Sequence, residues 1–183
     1  ADVFAQLRLP FESEEAIKLS RKIAEHMYLA ACQASMKLAR ERKKHIQEYR
    51  RILKKTDAER TPEESTQMRD LRDKYFIYQD EVDKLPMALA GAYSSFVGSP
   101  AYYGQLQYDL WGVEPSEELQ AEWQTLKDDI KKHGLRNSLL MAMMPTASTA
   151  QIMGNNECFE PFTSNIYTRK TLAGTFTIIN KYL

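Results

Sequence analysis

At 183 residues the chain is long enough for one domain with its own core, and its 25 basic and 25 acidic residues cancel. That balance argues against a nucleic-acid binder, which needs a surplus of Lys and Arg to neutralise phosphates. The only cysteines, Cys32 and Cys158, form no CxxC pair and have no His at ligand spacing, which predicts reduced thiols and no metal site.

No initiator Met precedes Ala1-Asp2-Val3-Phe4, so the chain is expected to begin inside a longer protein. That start lacks a signal peptide's basic and apolar stretches, and no apolar run approaches the roughly 20 residues that span a bilayer. Cytosol, with no membrane partner, is the expectation. All seven glycines lie at Gly91 or later, which predicts long helices in the first half.

Ser13 can cap a first helix, with Glu14 and Glu15 complementing its dipole. Ile17, Ser20, Ala24, Met27, Ala31, Ala34 and Leu38 recur at alternating spacings of three and four, predicting a close-packed inner stripe. His26 beside it has no second ligand at helical spacing and reads as structural, and Cys32 reads as core. From Arg40 to Leu85 the chain holds 24 charged residues, 13 basic and 11 acidic, so Lys43-Lys44 and Lys54-Lys55 read as solvated. Ile46, Tyr49 and Leu53 continue a helical stripe. Thr61-Pro62-Glu63-Glu64 is a capping-box start, and Met68, Leu71, Tyr75, Tyr78, Val82 and Leu85 then form an a/d seam up to Pro86. An antiparallel helical hairpin follows, with its turn near 57–61.

The stretch 91–112 mixes glycines with Tyr93, Tyr102, Tyr103, Tyr108 and Trp111 and reads as an aromatic-packed loop. A further helix, capped by Ser116 and ended by Gly134, should turn Leu119, Trp123, Leu126 and Ile130 inward. The apolar run 139–144, bounded by Gly134 and Pro145, predicts a strand buried on both faces. Near the end, 166–171 and 175–179 flank Leu172-Ala173-Gly174, which predicts a β-hairpin. Helices alternating with a buried strand indicate an α/β fold.

Chemistry concentrates after that strand, in Pro145-Thr146-Ala147-Ser148-Thr149-Ala150-Gln151-Ile152. Ligands in α/β folds gather where a helix begins beyond a strand's carboxyl end, and free N–H groups there hold anions. Small side chains let a phosphate approach, and Thr146, Ser148 and Thr149 offer hydroxyls. The competing reading is that Thr146 or Ser148 merely caps its own helix. Glu157 and Glu160 are close together, but no His or Asp completes a metal site with them.

These residues also carry a family likeness. Arg136-Asn137-Ser138-Leu139-Leu140, the 144–152 block, Gly154-Asn155-Asn156-Glu157-Cys158-Phe159-Glu160-Pro161 and Thr163-Ser164-Asn165-Ile166-Tyr167 resemble the large subunit of class I ribonucleotide reductases of eukaryotes and large DNA viruses. Pro10-Phe11-Glu12-Ser13, Gly98-Ser99-Pro100 and 106–111 fall in the same order. The resemblance implies that residues 1–183 are part of a catalytic ten-stranded α/β barrel. That barrel would belong to an enzyme reducing ribonucleoside diphosphates to deoxyribonucleoside diphosphates by thiyl-radical chemistry. It further implies a small diiron-tyrosyl partner subunit, ATP and dNTP effectors, and thioredoxin or glutaredoxin as reductant. In that family the stretch matched by Thr146, Ala147, Ser148 and Thr149 grips the substrate diphosphate.

Two departures stand out. The family's Asn-x-Cys-x-Glu does not occur, so the catalytic cysteines are expected outside this chain, which alone should be inactive and bind no cofactor. Cys158 falls where relatives carry Cys or Ser and is not expected to be redox-active. Residues 42–87 have no counterpart in shorter members and look like an inserted, charged helical hairpin. The alternative function is a non-catalytic interaction module that uses this hairpin.

Overall fold

The computed structural model describes residues 1–77 and 82–182. Six α-helices and one hairpin sheet are described: α1 (Asp2–Gln6), α2 (Glu14–Leu53), α3 (Pro62–Tyr75), α4 (Gln107–Leu110), α5 (Gln120–His133), α6 (Ala147–Met153), β1 (Ile166–Thr171) and β2 (Gly174–Ile179). The chain divides into two compact units, Glu25–Met141 and a second made of Ala1–Ala24 with Ala142–Leu183.

The Glu25–Met141 unit is helical. α2 begins as expected, with the Ala16 N–H donating to Ser13 Oγ at 3.1 Å, and runs for 40 residues. Its buried face differs from the expected one. Leu29, Cys32, Ser35, Met36 and Ala39 are inside, whereas Ile17, Met27 and Leu38 are 62%, 55% and 51% exposed. This helix carries apolar or small residues on two faces, and spacing cannot say which of them meets a partner. The face that does meets α5, where Trp123, Leu126 and Ile130 turn inward as predicted, with Leu119 packed against them. Ser116 does not cap with its hydroxyl; its N–H instead donates to Glu25 Oε1 at 2.9 Å.

Cys32 is fully buried in this core, and burial pushes its thiol up to about 11 despite a hydrogen bond from Tyr28 that opposes the shift. Only the thiolate attacks an alkylating reagent, and a free thiol titrates near 8.5. Iodoacetamide at pH 8 is therefore expected to modify Cys32 at least about a hundredfold more slowly than a free thiol until the chain unfolds. Peptide mass spectrometry of the folded chain checks this, and rapid native labelling would refute it.

The hairpin forms between α2 and α3, with its turn where the capping-box start at Thr61 places it. The capping box is present: Glu64 N–H donates to Thr61 Oγ1 and Thr61 N–H donates to the Glu64 carboxylate, both at 3.2 Å. Arg60 donates to the Ile52, Leu53 and Lys55 carbonyls at the end of α2. Met68, Leu71 and Tyr75 pack on Ile46, Tyr49, Ile77 and Val82, and Tyr75 stacks on His45 at 3.7 Å. The seam therefore closes on itself. α3 stops at Tyr75, well before Pro86, because Phe76 turns left-handed (φ 50°) and Arg42 donates to the Tyr75 and Phe76 carbonyls. Tyr78 of the expected seam lies outside the described residues; Val82 and Leu85 are buried.

The stretch 91–112 is aromatic-packed in part, with Tyr93, Phe96 and Tyr102 meeting edge to face, but it includes the short helix α4, and Tyr103 and Trp111 are exposed. The Tyr93 N–H donates to the Leu135 carbonyl at 2.8 Å. The Arg136 and Asn137 N–H groups donate to the Ser35 carbonyl and hydroxyl. These bonds fix the chain just before the apolar run 139–144.

That run is not a buried strand. It forms no regular secondary structure, and Leu139, Met143 and Met144 are 89%, 72% and 66% exposed. A strand needs neighbours for its N–H and C=O groups, and among the described residues none adjoins it. The apolar composition records a demand for burial but not who meets it. The only described sheet is the antiparallel pair β1–β2, Ile166 opposite Ile179 and Thr171 opposite Gly174, as the hairpin signal predicted. The described structure is thus helix-rich, with a small sheet rather than a visible part of a ten-stranded barrel. No described helix is long and apolar enough to cross a membrane.

Candidate anion-binding site

In the second unit α6 starts at Ala147, with Thr146 between it and Pro145. Ala150 N–H donates to the Thr146 carbonyl at 2.7 Å, closing the first turn. The N–H groups of Ala147, Ser148 and Thr149 precede that bond and find no acceptor among the described residues. All four residues from Thr146 to Thr149 are exposed. Three adjacent donors without a described acceptor, two small side chains and the positive end of a short helix thus fall together on exposed residues.

Thr146 does not cap this helix. Its hydroxyl donates to the Pro145 carbonyl at 2.8 Å and accepts the Cys158 N–H at 3.2 Å. The Ser148 and Thr149 hydroxyls have no partner among the described residues. Thr146 is left-handed (φ 53°), a conformation that costs a β-branched residue on the order of 1–3 kcal/mol. The Cys158 N–H bond ties down the residue that carries this strain.

The loop after α6 folds back along it. Asn155 N–H donates to the Ala150 carbonyl at 2.8 Å. Gln151 Nε2 and Arg169 Nη1 of β1 both donate to Glu157 Oε1, at 3.2 and 2.6 Å. Hydrogen bonding from Arg169, and then from Gln151, holds the Glu157 carboxyl below the usual carboxylate range. Asp2 accepts the Asn156 N–H at 2.9 Å and the Tyr182 hydroxyl at 2.9 Å. Sequence reasoning missed this clasp, since nothing in the spacing of Asp2, Gln151, Glu157 and Arg169 signals contact. Cys158, also left-handed at φ 51°, is partly exposed. Among the described residues no three His, Cys, Asp or Glu side chains gather as metal ligands.

A family model described as "Ribonucleotide reductase, barrel domain" matches residues 1–183. The chain is 46% identical over 184 residues to the ribonucleoside-diphosphate reductase large subunit of Dictyostelium discoideum, which covers all of this chain and 15% of that protein. It is 42% identical over 183 residues to the large subunits of Caenorhabditis elegans and Monkeypox virus, covering all of this chain and 17% of each. The chain therefore spans about a sixth of these relatives' length. With the whole chain inside one family model, it belongs to the ribonucleotide reductase barrel-domain family.

Proposed function

We propose that this chain is the part of a ribonucleoside-diphosphate reductase large subunit that holds the substrate's diphosphate. The carrying observation is the row of N–H groups at the exposed residues Ala147, Ser148 and Thr149, for which no protein acceptor is present among the described residues. A diphosphate is the kind of ligand such a row suits: doubly acidic, able to accept several N–H bonds at once, and admitted by alanine and serine side chains. The contribution is positioning. Holding the diphosphate orients the ribose toward a cysteine radical supplied elsewhere in the subunit, and orientation lowers the entropic part of the barrier.

On this reading the exposed run 139–144 and the open edges of β1 and β2 belong to a ten-stranded α/β barrel completed by other parts of the subunit. Residues 42–87 are a hairpin inserted into that barrel domain. The radical comes from a small diiron-tyrosyl subunit, electrons from thioredoxin or glutaredoxin, and regulation from ATP and dNTP effectors in the cytoplasm. The hairpin's internally closed seam gives the interaction-module alternative no support.

Nucleoside-diphosphate binding to a complete large subunit carrying this segment tests the proposal. Ser148→Pro removes one donor where no helical bond depends on it, and Ala147→Leu blocks close approach. Each should weaken binding by about tenfold or more, since a charge-assisted hydrogen bond contributes roughly 1.5–3 kcal/mol. Unchanged affinity in both variants would sink the assignment.

A further inference from the structure

α6 has seven residues and a single buried side chain, Ala150. Two helical turns are marginal on their own, and one alanine gives little packing to orient them. Something else must fix the direction in which its first N–H groups point. The candidates are the bonds from the following loop, and they differ in strength. Asn155 N–H to the Ala150 carbonyl and Cys158 N–H to Thr146 Oγ1 are neutral bonds. The Glu157 contacts with Arg169 and Gln151 involve an ionised acceptor, and such bonds are roughly twice as strong.

We propose that Glu157 is a positioning residue for substrate binding, its carboxylate linking Gln151 of α6 to Arg169 of β1 and so fixing the aim of the helix's free N–H groups. The idea rests on α6 being the diphosphate site. Gln151 lies three residues beyond Ser148, on the next turn of the helix, so a restraint there governs the tilt of the first turn. Arg169 is held in turn by strand pairing, opposite Phe176. Asp2 anchors the loop from the other side through the Asn156 N–H. Glu157 itself reaches no substrate on this view, and its negative charge is occupied by Arg169 at 2.6 Å.

The experiment uses a complete large subunit carrying this segment, assayed with its small subunit. Glu157→Ala is expected to raise KM for the nucleoside diphosphate about tenfold while kcat stays within about twofold, the pattern of lost binding rather than lost chemistry. Glu157→Gln keeps an oxygen that accepts from both partners and should return KM to within about threefold of the parent. Gln151→Ala, at an exposed position, should raise KM alone and add nothing to Glu157→Ala. An unchanged KM in Glu157→Ala, a fall in kcat alone, or Glu157→Gln as impaired as Glu157→Ala overturns the proposal. If Ser148→Pro weakens binding and Glu157→Ala does not, only the positioning role fails. If Ser148→Pro binds normally, the diphosphate reading fails first.

Discussion

Gly91→Ala is expected to destabilise the Glu25–Met141 unit by about 3 kcal/mol, the upper end of overpacking effects. A Cβ built on Gly91 would lie 1.8 Å from the Ala39 carbonyl oxygen and 2.8 Å from both the Ala39 carbonyl carbon and the Lys43 nitrogen. All three are backbone atoms in the middle of α2, so no rotamer change relieves the clash, and the loop must lift off the helix. Lifting it would separate Leu89, Ala90 and Ala92 from the core they help to build. Amide exchange in α2 and α5 should accelerate by about a hundredfold, the factor that corresponds to roughly 3 kcal/mol. Because the obstacle is a carbonyl, Ala39→Gly should not rescue the variant. Rescue, or unaltered exchange, would show that the loop approaches α2 less closely than described.

Much of this architecture is legible in the sequence, for local reasons. Ser13, Thr61 with Glu64, and Leu172-Ala173-Gly174 mark element starts and turns by bonds formed within a few residues, and each element forms. α5 turns its predicted face inward because the opposite face is charged and only one choice exists. α2 offers two faces of similar character, and three-four spacing alone picks out the one that is exposed. The run 139–144 failed for a related reason: six apolar residues announce burial, but a strand is defined by its neighbours, and none adjoins it among the described residues. Phe76 ends α3 early by a left-handed turn with no glycine or proline to announce it.

The site divides in the same way. That a helix begins near Thr146 follows from small polar residues after a proline, and the free donors follow from the helix itself. Which hydroxyl is available does not follow. Thr146 spends its own on Pro145 and Cys158, and that bond joins residues twelve apart through a loop whose path no spacing rule gives. The Glu157–Arg169 pair is similarly invisible, since a charge on β1 and a charge in a loop carry no mutual periodicity.

The second large effect concerns Trp123, the biggest fully buried side chain, at 2% exposure. Trp123→Ala is expected to cost about 3–5 kcal/mol, the usual range for emptying a large aromatic site. Its ring meets Tyr28 at 5.7 Å and Tyr108 at 4.9 Å, and its Nε1–H donates to Glu25 Oε1 at 3.1 Å. Packing and hydrogen bonding make separable contributions here. Trp123→Phe keeps an aromatic body between the two tyrosines and loses the donor, while Glu25 Oε1 retains the Ser116 N–H. The phenylalanine variant should therefore cost clearly less than the alanine one, by about 1–2 kcal/mol or more, in denaturant unfolding or amide exchange. Equal losses would mean that the indole N–H, not the ring's volume, holds α5 against α2. The core would then depend on one polar contact at Glu25 rather than on the aromatic stack.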